Sequence, residues 1–397
     1  MAARQLAGHG ARVLLLDKQR FPRDKPCGGG VTLRAASVQD VDLAPVVEQT
    51  IYGARFSLRL GPAFDRRFER PLTYMTQRCR LDAHLAERAV ESGAVMHDGE
   101  AVREIDLESN GGAGFSNRGS GFSLTVRTDR DAYAARVLIG ADGANGITGR
   151  SLGLRPAFEE AVALEGNVPF PNGVPEAWRD VVALDLGGLA GGYGWVFPKH
   201  DHLNVGVGAW KYAGFTLRSK LAQLAGRYGF DAATLENLRG HHLPVRTPGT
   251  PIARGPVALA GDAAGLVDPL SGEGIHMAFA SGRLASEQAL RVLSGEAADM
   301  AAYETLVETQ LQPELTVSRQ LQELFNFAPP PYLALMRRSG KFWHFFCALI
   351  RGDLTYLDFV RIIGPLGIAF DFFAGVAERR RLSRVESGLR LLAAARG

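Results

Sequence analysis

Cysteine is scarce in this 397-residue chain, and neither sign of charge dominates it. The three cysteines, Cys27, Cys79 and Cys347, lie far apart in sequence and show no metal-ligand spacing. That excludes a disulfide scaffold and leaves no metal site to expect. Such cysteine usage fits a reduced, cytoplasmic setting. Forty-five basic residues face 42 acidic ones, a net charge of +3, which leaves no electrostatic footprint for nucleic acid. No signal peptide pattern opens the chain, no uninterrupted apolar run reaches the length of a membrane span, and no internal repeat is present. Apolar residues at 46% and charged residues at 22% are ordinary for a globular protein, and the length calls for more than one packed region.

One further absence lies at the start. Met1–Gly10 reads as a helix and Ala11–Asp17 as a buried strand ending in an acid. In a dinucleotide fold that pair follows a strand and a Gly-x-Gly-x-x-Gly turn, and neither precedes it here. Met1 is therefore expected to fall inside a βαβ unit, with the natural start roughly 10–20 residues upstream.

What is present centres on Pro256–Phe279. A short apolar run, Val257–Ala260, reads as a buried strand that delivers Gly261 and Asp262 to a tight turn. A helix pattern begins after Gly272, and Gly272, Gly274 and Ile275 place bare N–H groups at its start, where an anionic ligand is favoured. Val137–Gly143 is a second buried strand into an Asp142–Gly143 turn. Both turns lie at the carboxyl edge of a parallel sheet, where ligands collect. Asp17 is either a ribose acceptor or an ordinary strand-end acid. Arg78 stands just before a helix over Leu81–Ser92, placed to pair with a pyrophosphate or simply exposed, with Arg80 the weaker candidate.

Cys27 lies between Pro26 and Gly28-Gly29-Gly30, close to a reacting centre or merely small in a turn; no histidine neighbours it. Tyr193, Trp195 and Phe197 alternate and so share one sheet face, as a tunnel wall or a domain core, and Lys199 reads as a solvated strand end. A Gly/Ser/Asn-rich loop spans Ser109–Gly121. Aromatic clusters at Phe342–Ile350 and Ile362–Phe370 precede a basic stretch with Arg379, Arg380, Arg381, Arg384, Arg390 and Arg396. Helices packed on the cofactor domain and an interfacial helix beside anionic lipid both remain open there.

In this order the motifs resemble the flavin-dependent geranylgeranyl reductase family, within the wider p-hydroxybenzoate hydroxylase-like flavoprotein group. Lys-Pro-Cys-Gly-Gly-Gly at 25–30 is similar to the family's own signature, and Tyr-Gly-Trp-Val-Phe-Pro-Lys at 193–199 to its substrate-domain motif. Gly261–Asp262 through Gly274 resembles the group's flavin-ribityl motif, Asp142–Gly143 its second glycine motif, and Arg78 with Asp82 the spacing seen where the family contacts FAD.

The resemblance implies an α/β fold: a Rossmann-like FAD-binding domain (1–50, 78–158 and 240–295), a β-sheet substrate domain (51–77 and 159–239) and a helical C-terminal region (296–397). FAD would be held by Asp17, Arg78, Asp142, Gly143, Gly261, Asp262, Gly272, Gly274 and Ile275. Cys27, Gly28 and Gly29 would lie near the flavin, and Tyr193, Trp195 and Phe197 would line the substrate tunnel. The implied reaction saturates C=C bonds of a polyprenyl substrate, with NAD(P)H as reductant and peripheral membrane contact. No residue stands out as the proton donor. A flavin monooxygenase or halogenase on the same fold, or a degraded non-catalytic flavoprotein, is the alternative; halogenases of the group carry Trp-x-Trp-x-Ile-Pro where this chain has Tyr193-Gly-Trp-Val-Phe-Pro198.

Overall fold

The computed structural model describes residues 1–109, 122–154 and 158–394. The loop read over Ser109–Gly121 lies outside them except for its first residue, as do Arg396 and the side chains of Arg384 and Arg390. The largest element is a seven-stranded sheet built from β1 (Gly53–Leu58), β2 (Phe64–Arg67), β3 (Phe158–Pro169), β4 (Val181–Leu189), β5 (Gly192–Pro198), β6 (His202–Trp210) and β7 (Glu236–Arg246). Its spatial order is β7-β3-β6-β5-β4-β1-β2, antiparallel except for the β1–β4 pair.

Period-two alternation divides the two faces of this sheet. Val196 of β5 and Leu203, Val205 and Val207 of β6 point to one face and pack against Leu221 and Leu224 of the helix Leu217–Arg227. The residues between them, including Trp195, Gly206 and Gly208, point to the other face, which walls a cavity.

Opposite that face lie short parallel pairs, Leu14–Asp17 with Val95–Asp98 and Leu138–Gly140 with Val257–Leu259. Two helices accompany them: α1 (Arg78–Glu91) and α2 (Ile275–Ser294). Val257, Leu259, Met277, Ala280 and Leu284 form one buried core with Leu6, so α2 locks the strand that carries Gly261 and Asp262. The mixed α/β class matches the expectation from sequence. The α2 helix starts at Ile275 rather than just after Gly272, because Gly272 N–H bonds the Asp268 carbonyl (2.9 Å) and closes a turn first.

The C-terminal helices are α3 (Gln312–Phe327), α4 (Pro329–Arg338), α5 (Gly340–Arg351), α6 (Tyr356–Ile363) and α7 (Gly367–Ala394). The 342–350 cluster packs chiefly on the side of the seven-stranded sheet, with a smaller contact to the helix Leu33–Val38. The buried stripe Trp343, Cys347 meets Ile51 and Phe56 of the substrate-sheet side, with the Trp343 and Phe346 rings 6.0 and 6.2 Å from Phe56. Aromatic faces at helical spacing find the aromatic residue of β1, which buries more apolar area than a polar strand end offers.

The α7 helix is anchored by Arg381, which pairs with Glu159 and Glu323 and stacks with Arg319 on the Trp210 ring at 5.2 and 4.5 Å. Its first turns are different: Ile368, Phe372 and Phe373 are 81%, 62% and 58% exposed. Within Tyr356–Ser383 an 18-residue window of mean hydropathy 1.6 is long and apolar enough to cross a membrane; the one or two charges inside that window hide the run from a search for uninterrupted apolar residues. Arg381 ties part of that stretch to the protein body.

Candidate cofactor and substrate cavity

A cavity of about 740 Å³ lies between the seven-stranded sheet, the carboxyl ends of the parallel strands and the helices α2 to α5. Of the residues singled out from sequence for binding, Arg78, Cys27, Gly28, Gly29, Gly143, Gly261, Asp262, Gly272, Gly274, Ile275, Tyr193, Trp195 and Phe197 all line it. Two do not. Asp142 is exposed and turns its carboxylate onto the N–H (2.9 Å) and hydroxyl (3.0 Å) of Thr148, stabilising its own turn. Asp17 accepts from Arg23 Nε at 2.8 Å, and it is Arg23 that reaches the wall. Arg80 also stays outside, bonded to Glu48 and the Pro45 carbonyl.

One end of the cavity is charged. Asp262 receives Lys25 Nζ at 3.0 Å and faces His241 Nε2 at 3.5 Å. Burial works to raise its pKa, but the His241 bond and the Lys25 charge outweigh it and hold the carboxylate well below its usual range. Arg78 forks onto Asp82 with two bonds of 2.8 Å, and Arg23 reaches the same carboxylate at 2.8 Å. At the start of α2, Gly274 makes no side-chain cap, which leaves first-turn N–H groups directed at the cavity wall. A Cβ at Gly274 would stand 2.9 Å from Asp262 Oδ1, so glycine keeps that helix end open beside the acid. An uncapped helix N-terminus, a low-pKa carboxylate and two arginines beside strand ends suit the polyol and phosphates of FAD. The residues therefore fit this cofactor.

The other end is apolar. Leu184, Val182, Phe56 and Met75 from the sheet side face Leu333, Met336, Phe342 and Leu349 from α4 and α5. The aromatics of β5 belong to this wall as well as to the sheet: Tyr193 and Trp195 ring centres lie 6.0 Å apart, Trp195 and Phe197 6.1 Å. Tyr193 donates its hydroxyl to the Ser271 carbonyl, in the loop that leads into α2. The shared face expected from alternation is thus a cavity wall.

Lys199 corrects its sequence reading outright. It is 2% exposed, not a solvated strand end, and its ammonium donates to the Gly28 carbonyl. The Cys27–Gly30 loop folds over the end of β5 and supplies that acceptor. Burial lowers the Lys199 pKa to about 8, against the opposing pull of Cys27, Glu48 and Glu165.

No family model matches the chain. A menaquinone reductase from Mycolicibacterium smegmatis is 32% identical over 356 residues, covering 82% of this chain and 81% of that protein. A geranylgeranyl diphosphate reductase from Rhodobacter capsulatus is 31% identical over 313 residues, covering 75% and 74%. The chain belongs to the geranylgeranyl reductase family. Its fold agrees: a geranylgeranyl bacteriochlorophyll reductase-like structure from Thermoplasma acidophilum superposes with a TM-score of 0.71 at 20% identity, covering 91% of this chain and 95% of that one.

Two carboxyls of this reductase-family cavity escaped the sequence reading. Glu165 on β3 is buried and accepts from Cys27 N–H at 2.6 Å, and burial pushes its pKa up to about 7. Glu273 accepts from the Thr32 hydroxyl at 3.0 Å, and burial likewise lifts it to about 7. For Glu165 a signal existed: in Ala161-Val-Ala-Leu-Glu165 it is the only charge on a face of small residues, and Ala161, Ala163 and Glu165 all line the cavity.

Proposed function

We propose that this protein is an FAD-dependent reductase that saturates C=C bonds in the polyprenyl chain of a lipid, quinone or pigment precursor. One observation carries the reading: a single row across the sheet passes from charge to hydrocarbon. In register the row is Arg239 (β7), Glu165 (β3), Gly206 (β6), Trp195 (β5), Leu184 (β4) and Phe56 (β1). At about 4.8 Å per strand it spans roughly 24 Å, enough for several isoprene units. A cofactor at the charged end and an apolar chain at the other would meet over Trp195.

When bound and reduced, FAD supplies hydride, and NAD(P)H is the proposed source of its electrons. Asp262, the α2 N-terminus and Arg78 would hold it; Gly28, Gly29 and Ile275 would border the flavin. Tyr193, Trp195 and Phe197 would press the alkene into place and exclude water. The enzyme is proposed to be cytoplasmic, with no nucleic acid partner, and to touch a membrane through Leu366, Ile368, Phe372 and Phe373, all exposed, beside Arg379 and Arg380.

The test is anaerobic incubation of FAD-loaded, dithionite-reduced protein with geranylgeranyl diphosphate and menaquinone, read by mass spectrometry. A gain of two hydrogens per double bond supports the reading. A product that instead gains one oxygen atom when O2 is admitted would make this protein a monooxygenase.

A further inference from the structure

We propose that Glu165 is the acid that gives the alkene its proton; this deepens the reductase reading above and rests on it. Hydride addition to an unactivated alkene needs a proton at the neighbouring carbon, so a donor must stand beside the reacting bond. Glu165 stands in the same sheet row as Trp195, with only Gly206 between them. A Cβ at Gly206 would run into the Trp195 indole, so the ring lies over the glycine and towards the carboxyl. The indole Nε1 is committed to Asn204 Oδ1 (2.8 Å), and Asn204 in turn to Asn167 (3.0 Å), which fixes the ring in that position.

The surroundings leave Glu165 able to hold and release a proton. The Cys27 N–H donates to Oε1. Arg239, its cross-strand neighbour on β7, is bonded to Asp24 at 3.0 Å. Lys199 approaches from beyond β5 with its ammonium on the Gly28 carbonyl, and Asn204 and Asp24 are the remaining polar groups facing the carboxyl. Burial outweighs these partners, and a carboxyl poised near neutrality is suited to general acid work. In the step, the alkene π bond breaks. One carbon forms a C–H bond with the hydride from reduced flavin, which is oxidised, and its neighbour forms a C–H bond with the Glu165 proton. The carboxylate left behind takes its next proton from solvent.

Glu165→Gln tests the assignment, since the amide oxygen still accepts from Cys27 N–H. The FAD-loaded variant is expected to bind flavin and accept dithionite electrons as the wild type does, while transfer to geranylgeranyl diphosphate or menaquinone slows by about 10²- to 10⁴-fold. Wild-type transfer should fall as pH rises through about 7, where the carboxyl loses its proton, and the residual rate of the variant should lack that limb. Independently of turnover, infrared difference spectra of the two apoproteins should show two neutral carboxyls titrating near neutrality in the wild type, Glu165 and Glu273, and only that of Glu273 in the variant. An active wild type matched by Glu165→Gln in rate and pH profile overturns the role of Glu165 alone. A wild type that hydrogenates neither substrate removes the reductase reading on those substrates and this role with it.

Discussion

The two ends of the cavity are built on one sheet face yet held together by opposite physics. At the β7–β3 end the described lysine and arginines of the wall are each paired with an acid: Lys25 with Asp262, Arg239 with Asp24, Arg78 with Asp82, and Arg23 with Asp17 and Asp82. At the β4–β1 end the contacts are rings and alkyl chains, and Trp343, 1% exposed, is their centre, donating its indole N–H to the Arg67 carbonyl at 2.8 Å. Charged groups in a partly dry wall add little net stability but fix where a ligand's polar atoms must go. Hydrocarbon packing is worth much more to the fold and constrains a ligand only by shape. On the proposed reading the charged end is where a cofactor would be selected, and the apolar end, which stabilises the protein, is where chain length would be measured.

Substitutions at each end should separate these roles. The largest effect is expected from Trp343→Ala, about 3–5 kcal/mol of stability lost in urea denaturation, because a fully packed indole and its bond both go. Flavin binding by the variant that remains folded should be unchanged; a parallel loss of flavin would break the separation. At the charged end, Asp262→Ala should weaken FAD binding about 100-fold, equivalent to ~3 kcal/mol, read as flavin absorbance retained against free FAD. Leu184→Trp fills the apolar arm one strand beyond Trp195 and should lower kcat/KM for a geranylgeranyl chain by about 10- to 200-fold, with a shorter prenyl chain much less affected. The smallest effect is expected outside the cavity. Ile368→Ser with Phe372→Ser should cut sedimentation with vesicles of mixed neutral and anionic lipid about tenfold, leaving the melting temperature unchanged, because both side chains are already exposed.

Much of the charged end was legible in the chain. Gly261–Asp262 and Gly272–Gly274 announce themselves because a turn after a buried strand and an open helix start need those residues for backbone reasons. The alternation of Tyr193, Trp195 and Phe197 likewise fixes that they share a face. It does not say what that face meets, and the answer depended on α4 and α5, more than 130 residues later in the chain, packing on β1 rather than filling the space over Trp195. Asp142 shows the converse: it has the right neighbours in sequence, but Thr148, six residues on, takes its carboxylate.

What the sequence by itself determined is the set of local geometries: which residues turn, which open a helix, which alternate, and hence the α/β class and the kind of ligand the glycine motifs suit. Those follow from backbone sterics and periodicity, which act over a few residues. Only the tertiary structure decided that Lys199 is buried, that Glu165 stands one glycine away from Trp195, and that the row between them runs from charge into hydrocarbon. Burial and cross-strand register arise when distant segments meet, and no short window of the chain contains that information.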